Sequence, residues 1–157
     1  MTVKILFVCL GNICRSPTAE AVFSGLAEQQ GMLDQLQVDS AGTSSYHIGE
    51  NPDGRATAAA QNRGYKMSHL VGRQVKREDF DNFDYVLAMD NANLRDLRRN
   101  CPAVHQEKIQ LFLKYGQRFQ ETEVPDPYYG GPEGFDRVLD LIEDASQGLL
   151  DAIKARC

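Results

Sequence analysis

Two thiols and one guanidinium fall within seven positions, Cys9 to Arg15, in the stretch Val8-Cys9-Leu10-Gly11-Asn12-Ile13-Cys14-Arg15-Ser16-Pro17. A mostly apolar run, Val3 to Val8, leads into it, and an apolar pattern of helical spacing leads out. Such a turn can curl the backbone N–H groups from Leu10 to Ser16 around an anion. The positive end of a following helix adds to the same field. Arg15 brings a fork of donors that suits two oxygens of a tetrahedral oxyanion. Cys9 is expected at the bottom of this cup, where donors and positive charge favour its thiolate. A thiolate under a bound phosphate can attack phosphorus and form a phosphocysteine that water later hydrolyses. The loop amides and Arg15 then hold the charge spread over the equatorial oxygens.

That chemistry needs a proton donor for the leaving oxygen and a base for the attacking water, and one carboxyl can serve both turns. Asp126 is the candidate, set between Pro125 and Pro127, which restrict the backbone around it. Tyr128 and Tyr129 follow and suit an apolar wall around an aromatic ring. Sequence spacing alone does not bring Asp126 near Cys9.

The elements that must position these residues are legible as alternating strands and helices. Val3–Val8 reads as a buried parallel strand. Ser16 is expected to cap a helix with Pro17 at its first position and Glu20 in its first turn. Ala19, Val22, Phe23, Leu26 and Ala27 share one face of that helix, which Gly31 closes. Residues 36–39 read as a second strand, 40–43 as a turn of small residues and 44–51 as loop. Asn51-Pro52 opens a second helix that Gly64 ends, and 76–81 is one or two helical turns. Residues 85–89 form a third strand, Asp90-Asn91 caps a helix over 92–100, and 109–112 is a fourth strand. Residues 115–134 carry three of the six prolines and four of the thirteen glycines, so a long, functional loop is expected there. Phe135 to Ile153 marks a closing helix of about five turns. Together these predict an α/β fold with a parallel sheet, with the first strand's C-terminal turn at the ligand edge.

The chain has 157 residues, 42% hydrophobic and 25% charged, which suits one domain spanning 1–157. A net charge of -5 argues against nucleic-acid and anionic-membrane partners, while leaving room for a local basic pocket. Cys9, Cys14, Cys101 and Cys157 form no disulfide framework, so a reducing, cytoplasmic setting is expected. The apolar stretch 3–10 contains Lys4 and runs into a polar turn, unlike a signal peptide. No window approaches the ~20 apolar residues of a membrane helix.

Plainer readings stand beside these. Cys9 can be a small core residue and Cys14 a loop-packing one. Arg15 can be a surface ion-pair residue, Asp126 a turn former, and Tyr128 and Tyr129 ordinary packing. The Cys9-x4-Cys14 spacing permits half of a zinc site, but no second Cys/His pair completes it. Gly11 alone is no dinucleotide fingerprint. His47 and His105 read as surface residues, and Arg95, Arg98 and Arg99 as a solvated helix face.

The chain resembles the low-molecular-weight protein tyrosine phosphatases over essentially its whole length, on residues 9–20, Asp39-Ser40-Ala41-Gly42-Thr43, residues 85–90 and residues 125–131. The resemblance implies a four-stranded parallel sheet flanked by helices, with the phosphate loop between the first strand and first helix, and no metal or other cofactor. It implies Cys9 as nucleophile, Arg15 as phosphate clamp and Asp126 as general acid and base. Leu10, Gly11, Asn12, Ile13, Cys14 and Ser16 form the phosphate loop, with Ile13 on the rim of the cleft. Tyr46 and Tyr128 match aromatic walls of that cleft, beside Tyr129. Asn12, Ser16, Ser40 and His69 match a hydrogen-bond network that shapes the loop, and Asp90 matches a further polar position. Cys14 matches a cysteine that forms a reversible disulfide with the nucleophile after peroxide. The implied partners are a phosphotyrosine protein or aryl phosphate, with phosphate and vanadate as inhibitors. The alternatives are a thiol-dependent arsenate reductase, for which the closely spaced resolving cysteines are missing, and a silent phosphotyrosine-binding module, which would lack the nucleophile or acid present here.

Overall fold

The structure is a computed structural model and describes residues 2–127 and 131–156. Strand β1 (Val3–Cys9) is followed by α1 (Arg15–Gln29), β2 (Leu36–Gly42), α2 (Gly54–Asn62), α3 (Arg77–Asn82), β3 (Tyr85–Ala88), α4 (Asn91–Asn100), β4 (Ile109–Leu111) and α5 (Pro132–Arg156). Short 3-10 turns precede β2 and flank β4. The four strands are all parallel in the order β2-β1-β3-β4.

Burial on both faces explains the apolar run of β1 from Ile5 to Cys9. Ile5, Phe7 and Cys9 face the core made with α1, α2 and α5, whereas Leu6 and Val8 face a second core with α3 and α4. Phe7 anchors the larger core by edge contacts with Phe23 and Phe112, at ring-centroid distances of 5.7 and 4.9 Å. Cys9, at the end of β1, belongs to the larger core, which holds it in place.

Four expectations are corrected by the structure. α1 begins at Arg15 with Cys14 as its cap, and no side chain caps it. The Ser16 hydroxyl bonds within the loop instead, and Glu20 lies beyond the first turn. β2 continues through Ser40 and Ala41 to Gly42, where a turn is expected from the small residues. A Cβ at Gly42 would stand 2.7 Å from the Leu10 carbonyl oxygen, so the strand end packs directly on the phosphate-type loop. Helix α2 starts after Asp53, whose carboxylate accepts from the Arg55 and Ala56 N–H groups. α5 runs for 25 residues, about seven turns, starting at Pro132 instead of Phe135. Gly148 lets α5 pack this closely, because a Cβ there would meet the Tyr115 carbonyl oxygen at 1.8 Å. Among the described residues, no helix is long and apolar enough to cross a membrane.

Candidate active site

Cys9 ends β1 and is 3% exposed. The loop after it turns through Asn12, whose φ of 58° is a left-handed conformation that asparagine tolerates. The Asn12 N–H donates to Cys9 Sγ at 3.3 Å. The Asn12 side chain is fully committed: its amide donates to Ser16 Oγ at 2.8 Å and to Ser40 Oγ at 3.0 Å, and its carbonyl accepts from the Arg73 N–H at 3.0 Å. Ser16 Oγ accepts from Asn12 and lies 3.0 Å from Cys9 Sγ and 3.4 Å from the Ala41 carbonyl, so its proton is available to the sulfur whenever Cys9 is a thiolate. Two polar groups thus converge on the sulfur, the Ser16 hydroxyl and the Asn12 N–H. Among the described residues, no protein acceptor takes the N–H groups of Gly11, Ile13, Cys14 or Arg15. These groups open the α1 N-terminus, where the helix field favours an anion.

Arg15 is buried, and its Nη1 donates to Asp90 Oδ2 at 2.7 Å and to the Val124 carbonyl at 3.0 Å. Burial opposes its charge, but the bond to Asp90 and the Cys9 and Asp90 charges win and raise its pKa. Asp90 uses its other oxygen to cap α4 through the Asn93 N–H. The segment carrying Asp126 is tied to the sheet by the Val124 N–H to the Met89 carbonyl and the Asn91 N–H to Glu123. Leu10, Arg15, Asp90, Asn93, Val124 and Asp126 border one cleft of about 330 Å³. Asp126 therefore shares the cleft with Arg15, a convergence that sequence spacing leaves open.

Other expected positions fall differently. Leu10 is 54% exposed at the cleft, and Ile13 is half-buried. Tyr46 is 87% exposed on the loop after β2 and does not border the cleft. His69 is exposed, makes no hydrogen bond among the described residues and lines a separate cleft with Glu20. Tyr128 and Tyr129 lie outside the described residues. Burial pushes the Cys14 thiol up to about 12, and the charges of Cys9, Asp53 and Asp126 act in the same direction. Among the described residues, no group of three or more His, Cys, Asp or Glu is placed to hold a metal ion.

Two residues that sequence reasoning passes over complete the support. Arg73 bonds Asp39 and Asp79 and braces Gly42 through its carbonyl. Glu20 Oε1 accepts the Ser40 hydroxyl at 2.7 Å, ending a hydrogen-bond chain that runs through Asn12 and Ser16 to Cys9. Their only sequence signal is charge type, since the bonds to Ser40 and Asp39 span 20 and 34 residues and the Arg73–Asp79 pair fits no helix or strand spacing. Burial raises the Glu20 carboxyl to about 7, with Asp39 adding and Ser40 and Arg73 opposing. An acid whose folded pKa lies above its unfolded value of 4.5 stabilises the fold below 4.5 and loses that contribution as pH rises through 7. Thermal unfolding followed by circular dichroism should therefore show a component of Tm that falls between about pH 4.5 and 7. Glu20→Gln should remove that component; an unchanged slope would show that Glu20 titrates normally.

The parallel sheet and a thiol at the floor of an amide-lined anion loop define a phosphate-handling enzyme of the cysteine type. A family profile described as low molecular weight phosphotyrosine protein phosphatase matches residues 4–157. The human low molecular weight phosphotyrosine protein phosphatase is 48% identical over 139 residues, covering 87% of this chain and 87% of that protein. The low molecular weight protein-tyrosine-phosphatase of Streptomyces coelicolor is 43% identical over 157 residues, covering 98% and 95%. A crystal structure of a protein tyrosine phosphatase from Entamoeba histolytica, with Hepes in its active site, is similar with a TM-score of 0.95 at 44% identity, covering 98% of each chain. The chain belongs to the low molecular weight phosphotyrosine protein phosphatase family.

Proposed function

We propose that the protein hydrolyses phosphotyrosine monoesters with Cys9 as nucleophile, Arg15 as phosphate clamp and Asp126 as acid and then base. The observation that carries this assignment is the pair of donors, Ser16 Oγ and the Asn12 N–H, converging on Cys9 Sγ beneath unpartnered loop amides. In the first step the Cys9 thiolate attacks phosphorus, the P–O bond to the phenol breaks, and the Asp126 carboxyl protonates the departing oxygen. In the second step the Asp126 carboxylate takes a proton from water, the water oxygen attacks phosphorus, and the S–P bond breaks. The electron pair returns to sulfur, where Ser16 and Asn12 donate to the departing thiolate. Arg15 holds two phosphoryl oxygens throughout, oriented by Asp90 and Val124. Ser40 and Glu20 keep the loop in shape.

The direct test is phosphate release from a phosphotyrosine peptide and from p-nitrophenyl phosphate without added metal. Vanadate should inhibit it, and a phosphoserine peptide should be a poor substrate because its shorter side chain stops above Cys9. Absence of phosphate release would refute the reading. The substrate class is a phosphotyrosine protein or aryl phosphate in the cytoplasm, a placement supported by the free thiols of Cys9, Cys14 and Cys101.

Cys14 is assigned a redox role on the same loop. Peroxide converts the Cys9 thiolate to a sulfenic acid, and the Cys14 thiol condenses with it, releasing water and leaving a disulfide. The raised Cys14 pKa makes that second step slow at neutral pH. Mass spectrometry after peroxide should show a Cys9–Cys14 link that forms faster as pH rises from 7 to 9 (about tenfold per unit while the thiolate is the minor form). A pH-independent rate, or no link, would remove Cys14 from this role.

A further inference from the structure

A second cleft, of about 420 Å³, lies beside the catalytic one and takes no part in the chemistry above. Thr43, Gln74, Lys76, Arg77, Asp96 and Asn100 supply its polar border. The side chains of Lys76 and Arg77 make no ion pair or hydrogen bond among the described residues. Neighbouring Arg73, by contrast, is held by Asp39 and Asp79. Asp96, the carboxylate on the border, has the Arg99 guanidinium at 3.6 Å, so the local field stays positive.

The cleft is also joined to the reaction centre. Asp96 borders both clefts. The Thr43 N–H donates to the Cys9 carbonyl at 2.9 Å, and the Gln74 side chain donates to the Thr43 carbonyl at 3.2 Å. The floor of the second cleft is thus bonded to the residue that carries the sulfur. We propose that this cleft binds an acidic side chain of the substrate protein, close in sequence to its phosphotyrosine. Lys76 and Arg77 face its charge. This rests on the phosphatase reading and names the substrate class that the same site prefers. A chain of net charge -5 repels acidic segments at long range, so a local pair of unpartnered cations decides which of them dock.

The test is a set of phosphotyrosine peptides in which one aspartate replaces alanine at each neighbouring position in turn. Wild type should show a gain in kcat/KM of about three- to tenfold for at least one peptide over the all-alanine one, the range from an exposed ion pair to a hydrogen-bonded charge. Added salt should reduce the gain. The variant Lys76→Glu/Arg77→Glu should abolish or reverse it while p-nitrophenyl phosphate, too short to reach the cleft, is turned over at the wild-type rate. Lys76→Arg/Arg77→Lys should restore it. Should the charge-reversed protein not fold, Lys76→Gln/Arg77→Gln gives the same decision. A flat peptide series in wild type, or a gain that survives loss of both cations, would overturn the proposal. Failure of wild type to turn over p-nitrophenyl phosphate would count against the phosphatase reading instead.

Discussion

Cys9→Ser is expected to slow hydrolysis of p-nitrophenyl phosphate by about 10⁶-fold, the scale of loss when a covalent catalyst loses its nucleophile. The change is nearly isosteric at a position that is 3% exposed, so the fold and the loop should persist. A serine hydroxyl, however, stays protonated at neutral pH, and no general base stands behind it. Its neighbour Ser16 already spends its acceptor on Asn12 and its proton on the residue at position 9. Phosphate binding should survive, because the Gly11, Ile13, Cys14 and Arg15 amides and the Arg15 side chain are untouched. Calorimetric titration with a phosphotyrosine peptide, run beside the kinetics, separates the two effects. Retained binding with lost turnover is the expected pair of results. A Cys9→Ser protein with substantial activity would place the chemistry elsewhere.

The second large effect is that of Asp126→Ala, expected to lower kcat by about 10²–10⁴. The loss should depend on the leaving group. p-Nitrophenolate departs without a proton and should suffer least, whereas tyrosine and simple phenols should suffer most. A series of aryl phosphates therefore reports the role directly: the dependence of kcat on leaving-group pKa should be shallow in wild type and steep in the variant. Asp126 is exposed on the segment anchored by Val124 and Glu123, so its removal should barely change Tm. Equal losses across the series would remove Asp126 as the proton donor to the leaving group and leave it, at most, a role in the second step common to all substrates.

The parts of this account differ in how far they were legible beforehand. The anion loop was legible because its thiol, its guanidinium and its amides are contiguous, from Cys9 to Ser16. The parallel sheet was legible because β1 reads as a strand buried on both faces. The approach of Asp126 to Arg15 was not, since it depends on backbone bonds between the ends of β3 and a distant loop. Ser16 carries the chemical signature of a helix cap, yet its hydroxyl is taken by Cys9 and Asn12, and α1 starts one residue earlier than Ser16. Ser40-Ala41-Gly42 resembles a turn by composition, but small residues there serve a strand that presses against the loop. Glu20 read as a helix-dipole partner and Arg73 carried no reading, because the bonds that tie them to the site, to Ser40 and Asp39, come from other elements. His69, placed in the loop network by resemblance, is exposed and makes no hydrogen bond there among the described residues.

The claim on which the rest stands is that phosphate passes through a covalent bond to Cys9. Rapid acid quench of the Asp126→Ala protein during turnover of an aryl phosphate, followed by peptide mass spectrometry, tests it most directly. The account predicts one phosphoryl group on the peptide containing Cys9, appearing before steady state and absent from Cys9→Ser. A phosphoryl group on any other residue, or steady turnover with none at any time, would contradict it.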